Sequence, residues 1–358
     1  MKQSENPPVT LQMLADRLGL SRSTISRALH NHPKLSQATI QKVQALAKEL
    51  DYRTDPEVNR LMVHLRHRKK MSSRPTVALV INQKIPFDLT GPESGQSVLV
   101  GAVERIQECG YQPEVFNLHE FKEKNLRLDK VLYSRGIQGV IICPFEFPGP
   151  LPELNLEHFS VVLIGHSIRA EHLHRVVTNQ YQGMRDCIKE LASRGYRRVG
   201  VTLDFHTNGR TNGFYTAAYF LEKELRPEME FLPIHTFDYF SPESWLSGFR
   251  KWYKEHRPDA VIGVQTYLTH LQPWLEKQKL SIPDEFGMVA LHLDPTNTSF
   301  SGILQNSLLV GRAASNTLVG LIQNYEIGIP NPAHMILVEG KWYEGSTLRP
   351  RGNDLSEG

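Results

Sequence analysis

Along residues 9–52, apolar positions recur every three to four residues in three short blocks separated by polar turns. Leu11, Leu14, Ala15 and Leu18 form the first stripe, and Gly19 follows it where a helix can close on a residue of positive φ. Ser21 can cap the second block, on which Ile25, Ala28 and Leu29 share the inward face. Arg22, Ser23, Ser26, Arg27 and His30 fall on the other side, at spacings that bring them together. Pro33 breaks the chain. Ser36 can cap a third helix, whose Ile40, Val43, Leu46, Ala47 and Leu50 make its buried stripe. The pattern predicts an all-α three-helix unit of helix-turn-helix form. Most polar helix faces are merely solvated, but this one is cationic and rich in hydroxyls. Arginine can pair bidentately with guanine, and serine can bond base edges or phosphates.

From Thr76 the pattern changes. TVALVIN (76–82), GVIICPF (139–145), FSVVLIG (159–165), RVGVTLD (198–204), AVIGVQ (260–265) and GMVAL (287–291) are runs rich in β-branched residues. Helical stretches such as GQSVLVGAVERIQECG and GMRDCIKELASRG (183–195) lie between most of them. Alternating strands and helices predict parallel sheets covered on both faces. The number of strands is too large for one compact lobe, so two α/β lobes are expected.

Charge sharpens this division. Residues 1–75 hold 14 Lys and Arg against 6 Asp and Glu, a net of +8, and the remainder holds 27 against 32, a net of −5. A basic head on a mildly acidic body suits a polyanionic partner. Enzyme chemistry finds little support: neither common Gly-rich phosphate loop is present, nor a Gly-x-Ser-x-Gly elbow, HExxH or CxxC. His172 and His174 are the closest approach to a metal pair, and an exposed loop is the simpler reading of them. No cofactor is implied. Cys109, Cys143 and Cys187 are odd in number and widely spaced, as expected of buried thiols in a reducing cytoplasm. No signal peptide or transmembrane run is visible, which argues against a secreted binding protein.

The string VTLQMLADRLGLSRSTISRALHNHPKLSQATIQKVQALAKELDY resembles the headpiece of the LacI family of bacterial transcription regulators. The match runs from Ala15 through Gly19, Ser21, Thr24, Ser26 and Arg27 to Tyr52. By that resemblance Arg22, Ser23 and Arg27 read major-groove bases. Thr10, Ser21, Thr24, Ser26, Lys34, Ser36 and Thr39 match positions that touch phosphates or flank the bases, and His30 and Tyr52 complete the expected set. Asp55-Pro56 is a strong helix start, and in the family this stretch is a hinge helix. Paired hinge helices of a dimer enter the minor groove, where Leu61 would wedge into the central base step. Thr54-Asp55 stands where the family has Pro-Asn. The basic run Arg66, His67, Arg68, Lys69 and Lys70 makes the connection longer than usual. A solvated charge run is the commoner case. If the run instead adds phosphate contacts, neutralising Arg66, Arg68, Lys69 and Lys70 will flatten the salt dependence of DNA binding, and an unchanged slope will remove the idea.

The body is also similar to the family's effector domain, which is like periplasmic sugar-binding proteins. The resemblance implies a headpiece (1–54), a hinge helix and linker (55–75) and a two-lobed effector-binding and dimerisation domain (76–350). Lobe 1 would be about 75–177 plus 304–331, and lobe 2 about 178–303 plus 332–350. A small ligand would sit in the cleft between them, and closure would alter the spacing of two headpieces. Arg210 matches an arginine that bonds ligand hydroxyls or carboxylates, and Asp294 lies near the usual acidic position. Asn82, Cys143 and His166 end strands that face the cleft. Gln265-Thr266 replaces the usual Asn-Asp, Val177-Thr178-Asn179 replaces Val-Asp-Asn, Gly95-Gln96 replaces an aromatic pair, and Leu293 replaces an aspartate. The expectation is a homodimeric, DNA-binding regulator, a repressor on a palindromic operator, controlled by a carbohydrate. A nucleobase or another non-sugar effector, or a sugar-binding protein without regulation, are the alternatives.

Overall fold

The computed structural model describes residues 9–29, 35–52, 74–82, 98–238, 242–293 and 299–351. Its first three helices are α1 (Leu11–Leu18), α2 (Arg22–Leu29) and α3 (Gln37–Glu49). Each begins on a hydroxyl cap: the Oγ atoms of Thr10, Ser21 and Ser36 accept the backbone N–H of Met13, Thr24 and Thr39 at 3.3, 3.1 and 3.2 Å. Gly19 closes α1 at φ 62°, a conformation glycine adopts without Cβ strain. Leu14, Ala15, Ile25, Ala28, Ile40, Val43 and Ala47 form the buried centre of this bundle.

The chain then builds β1 (Thr76–Ile81), α4 (Val98–Glu108), β2 (Gln112–Asn117), α5 (Leu118–Glu123), α6 (Leu128–Ser134), β3 (Gly139–Ile142), β4 (Gly149–Pro150), β5 (Ser160–Ile164), β6 (Ile168–Arg169) and β7 (His174–Thr178). It passes into α7 (Gln180–Ser193), β8 (Arg198–Asp204), α8 (Phe205–Arg210), α9 (Phe214–Leu225), β9 (Glu230–Phe231), β10 (His235–Phe237), α10 (Pro242–His256), β11 (Ala260–Gly263), α11 (Gln265–Lys277), β12 (Gly287–Ala290) and β13 (Ser301–Leu304). It returns through α12 (Ser307–Asn324) and β14 (Met335–Val338), and ends with β15 (Lys341–Tyr343).

Two sheets result. The first is parallel throughout, in the order β14-β7-β5-β3-β1-β2. The second runs β10-β8-β11-β12-β13-β15, with β9 also on β8, and only β15 is antiparallel. Both faces of each sheet are covered, which explains the unbroken apolar runs. In β1, Val77, Leu79 and Ile81 join one core cluster with α4 and α12, while Ala78 and Val80 join another with α6. This is the two-residue strand period seen from both sides. Burying each larger aliphatic side chain contributes roughly 1.5–3 kcal/mol.

One expected boundary is corrected. The resemblance puts residues 332–338 in the second lobe, but β14 pairs in parallel with β7 in the first sheet, Met335 opposite Arg175 and Val338 opposite Thr178. The chain therefore crosses between sheets after Thr178, after Leu304 and after Val338. The three crossings are bonded together. Asn179 N donates to Val338 O at 2.8 Å, its Nδ2 donates to Glu339 Oε1 at 2.9 Å, and Asn306 Nδ2 donates to Glu339 O at 2.6 Å.

Candidate DNA interface and effector cleft

On α2, Ile25 and Ala28 are fully buried while Arg22, Ser23 and Arg27 are exposed. The core thus fixes which way the two guanidinium groups point. Thr24 and Ser26 are half-buried at the edge of that face. At the start of α2, Ser21 Oγ lies 2.8 Å from both Ser23 Oγ and Thr24 Oγ1. Ser36 Oγ stands 2.8 Å from Thr39 Oγ1 at the start of α3. The expected phosphate-touching hydroxyls of Thr10, Ser21 and Ser36 are therefore also the caps of the three helices. Each hydroxyl spends a lone pair on a backbone N–H, and a hydroxyl keeps one proton to donate. Helix starts of this kind also favour anions through their uncommitted N–H groups. His30, Lys34, Leu61 and the basic run 66–70 lie outside the described residues.

The carboxyl ends of the strands of both sheets meet. His206, just past β8, places Nε2 2.5 Å from the Glu146 carbonyl oxygen, just past β3, and its ring 5.0 Å from Phe147. His166, just past β5, meets Phe214 edge-on at 5.0 Å. In open α/β sheets, ligands bind outside these strand ends. The His166 loop is held from below by Arg175. This buried guanidinium donates to the carbonyls of Gly165, Ile168 and Ala170, the last two at 3.0 and 2.9 Å. Burial, with a smaller contribution from the Arg175 charge, holds the His166 imidazole down at about 4, so it is neutral near pH 7. Its Nε2 is buried without a hydrogen-bond partner.

The family model described as bacterial regulatory proteins, lacI family, matches residues 10–55. Beyond the headpiece, the chain is 23% identical over 328 residues to the HTH-type transcriptional regulator MalR of Streptococcus pneumoniae, covering 88% of this chain and 94% of MalR. Residues 10–55 are a LacI-family headpiece. The chain is also 25% identical over 277 residues to the transcriptional repressor PurR of Escherichia coli, covering 71% of each. Among LacI-type folds, a CelR regulator in complex with cellobiose superposes over 95% of this chain and 99% of its own, with a TM-score of 0.57 at 21% identity. A lac repressor dimer bound to operator and an anti-inducer covers 96% of this chain and 100% of its own, with a TM-score of 0.56 at 15% identity.

Against that LacI-type frame, the cleft positions sort unevenly. Asn82 is half-buried just past β1, and Gln265 is buried at the first turn of α11. Arg210 is half-buried and is the last residue of α8. Asp294 lies outside the described residues. Cys143 is a correction: its side chain packs in the first-lobe core among Leu79, Ile141 and Val162, and is not presented to a ligand. Burial pushes its thiol up to about 12. Cys187 is buried as expected, whereas Cys109 is only half-buried.

The His172 and His174 pair also separates. His172 is exposed, but His174 is buried in β7 and its Nδ1 accepts His334 N at 3.0 Å. Among the described residues, no group of three His, Cys, Asp or Glu is placed to hold a metal, and no helix is long and apolar enough to cross a membrane. A cavity of about 140 Å³, lined by Tyr133, His158 and Tyr325 over Ile137, Ile322 and Ile327, lies at the opposite, amino-terminal edge of the first sheet. It is remote from the cleft groups described above. Sequence reasoning also missed Asp204 and Arg175, whose roles show only in the folded loops around them, and Glu339, whose partners Asn179 and Asn306 are distant along the chain.

Proposed function

We propose that this LacI-family protein is a homodimeric repressor that reads a palindromic operator and is controlled by a small carbohydrate in the cleft, acting in the cytoplasm and catalysing no reaction. The observation that carries the DNA-reading part is the exposed Arg22, Ser23 and Arg27 face on a capped α2 whose opposite side is locked in the bundle core. Two copies would place two such faces on the two halves of a symmetric site. The carbohydrate is supported by relatives: CelR is seen with cellobiose, and a matched repressor of Lactococcus lactis is named for the ribose operon. A nucleobase is the second reading, favoured by the match to PurR.

Site selection from random duplexes, followed by gel-shift titration, tests the first part: a two-fold symmetric consensus is expected, and a non-symmetric one overturns the dimeric reading. A thermal-shift screen of sugars and nucleobases tests the second, because a ligand selective for the native state raises the apparent Tm. Arg210→Ala should abolish the effect of the effective compound on operator affinity and leave unliganded operator binding intact. A surviving response removes Arg210 from the site.

A further inference from the structure

We propose that Asp204 selects the effector's chemistry, accepting a hydroxyl or ammonium donor and turning away carboxylated or phosphorylated compounds. This deepens the cleft reading and rests on it. Asp204 is the last residue of β8, at the strand end that faces the first lobe, and it is fully buried. Its Oδ1 caps α8 by accepting Thr207 N at 2.6 Å. Its Oδ2 is buried and has no partner. Across the cleft, His166 Nε2 is buried and has none either.

Buried polar atoms are almost always paired, so the orphaned Asp204 oxygen, at a strand end that faces the other lobe, marks a place where a further group belongs. A carboxylate oxygen only accepts, which requires the incoming group to donate. The surrounding cations do not reverse this preference. Arg175 is committed to three backbone carbonyls, and Arg210, at the far end of α8, is not a free cation. His166 is uncharged near pH 7. An anion placed against Asp204 would meet like charge at a depth where screening is weak; the nearest basic group, His206, has Nδ1 4.0 Å from Asp204 Oδ1 and holds the Glu146 carbonyl through Nε2. A neutral polyol or an amino sugar would supply the missing donor.

The test uses the full-length protein and its Asp204→Asn and Asp204→Ser variants. Asn and Ser are both good N-caps, so the start of α8 is preserved. The probes are cellobiose, maltose, glucosamine, glucose 6-phosphate and gluconate, read by thermal shift and by calorimetric titration. The expected result is that a neutral sugar or glucosamine binds while the two anions do not. Both variants should weaken that compound by about tenfold or more, as for loss of a hydrogen bond to a charged group, and should narrow its margin over the anions. Without ligand, neither variant should melt below the parent, because Asn removes the buried charge and Ser removes both the charge and the unpaired oxygen. An anion that binds as well as its neutral counterpart overturns the assignment, and so does undiminished affinity in both variants. If no probe moves either the Tm or the operator affinity, the cleft reading itself fails, and this assignment falls with it.

Discussion

Arg27→Ala should lose the distinction between operator and random DNA while keeping its fold and its salt-sensitive binding to any duplex. Arg27 is exposed on α2, five residues from Arg22 and beside Ser23 on the face opposite Ile25 and Ala28. A bidentate arginine–guanine pair is worth about 1–3 kcal/mol of discrimination. A symmetric dimer makes that pair twice, so the specificity ratio should fall by roughly 2–6 kcal/mol, from about thirtyfold to about twenty-thousandfold. The other basic side chains stay in place, so binding to random DNA should weaken only slightly and its salt slope should change little. Stability should not suffer, because the side chain contributes nothing to the bundle core and alanine favours the helix. Gel-shift titrations on operator and scrambled duplexes at several salt concentrations decide the matter. Equal losses on both DNAs would assign Arg27 to the phosphates and leave base reading to Arg22 and Ser23.

How far the sequence reaches depends on whether an element is set locally. The headpiece was readable because caps and stripes lie within a few residues of what they stabilise. Ser21 and Thr24, or Leu14 and Ala15, need no distant partner to show their roles. The central strands were readable because burial on both faces leaves unbroken runs such as TVALVI. β2 was not: it is a sheet edge with Gln112, Pro113 and Glu114 in its first half, and an edge tolerates the polar residues and proline that hide a strand. β14 falls in the stretch 332–350 that the resemblance gives to the second lobe, yet it completes the first sheet. Its pairing joins Met335 to Arg175, and no short window of sequence contains both.

The cleft suffered most from this distance. Position along the chain could place Cys143 at a strand end, but only packing shows its thiol turned into the core. Asp204 looked like the end of an apolar strand. Its unpaired oxygen is a property of the folded neighbourhood and has no sequence signature.

The same non-local packing predicts opposite outcomes for one substitution at two places on α12. Gly311→Ala should destabilise the body strongly, and Gly320→Ala should not. A Cβ at Gly311 would lie 2.0 Å from Val98 O and 2.6 Å from Ala102 N, both backbone atoms of α4. From the other side, a Cβ at Gly101 would lie 2.1 Å from Leu308 O. The two helices therefore touch backbone to backbone, and no side-chain rotation can make room. Around that contact, Ser315 Oγ bonds Ala102 O at 3.1 Å, and Arg312 donates to both Glu108 oxygens at 2.9 and 2.7 Å. Moving the helices apart would strain all of these together. Overpacking costs about 1–3 kcal/mol where side chains can adjust, so a backbone clash should reach roughly 3 kcal/mol and lower the Tm by about 6–12 °C. Gly320 lies in the same helix with nothing within 4 Å of its would-be Cβ. There alanine gains helix propensity and should leave stability unchanged or raise it by up to about 1 kcal/mol. Thermal melts of the two single variants check the pair. Because α12 follows directly from the crossing at Leu304, Gly311→Ala should also loosen the link between cleft and first lobe, while the headpiece bundle, whose core shares no residue with α12, keeps its own helices. A Gly311→Ala protein that melts with the parent would mean that α4 and α12 can separate freely, which the buried Ser315 bridge argues against.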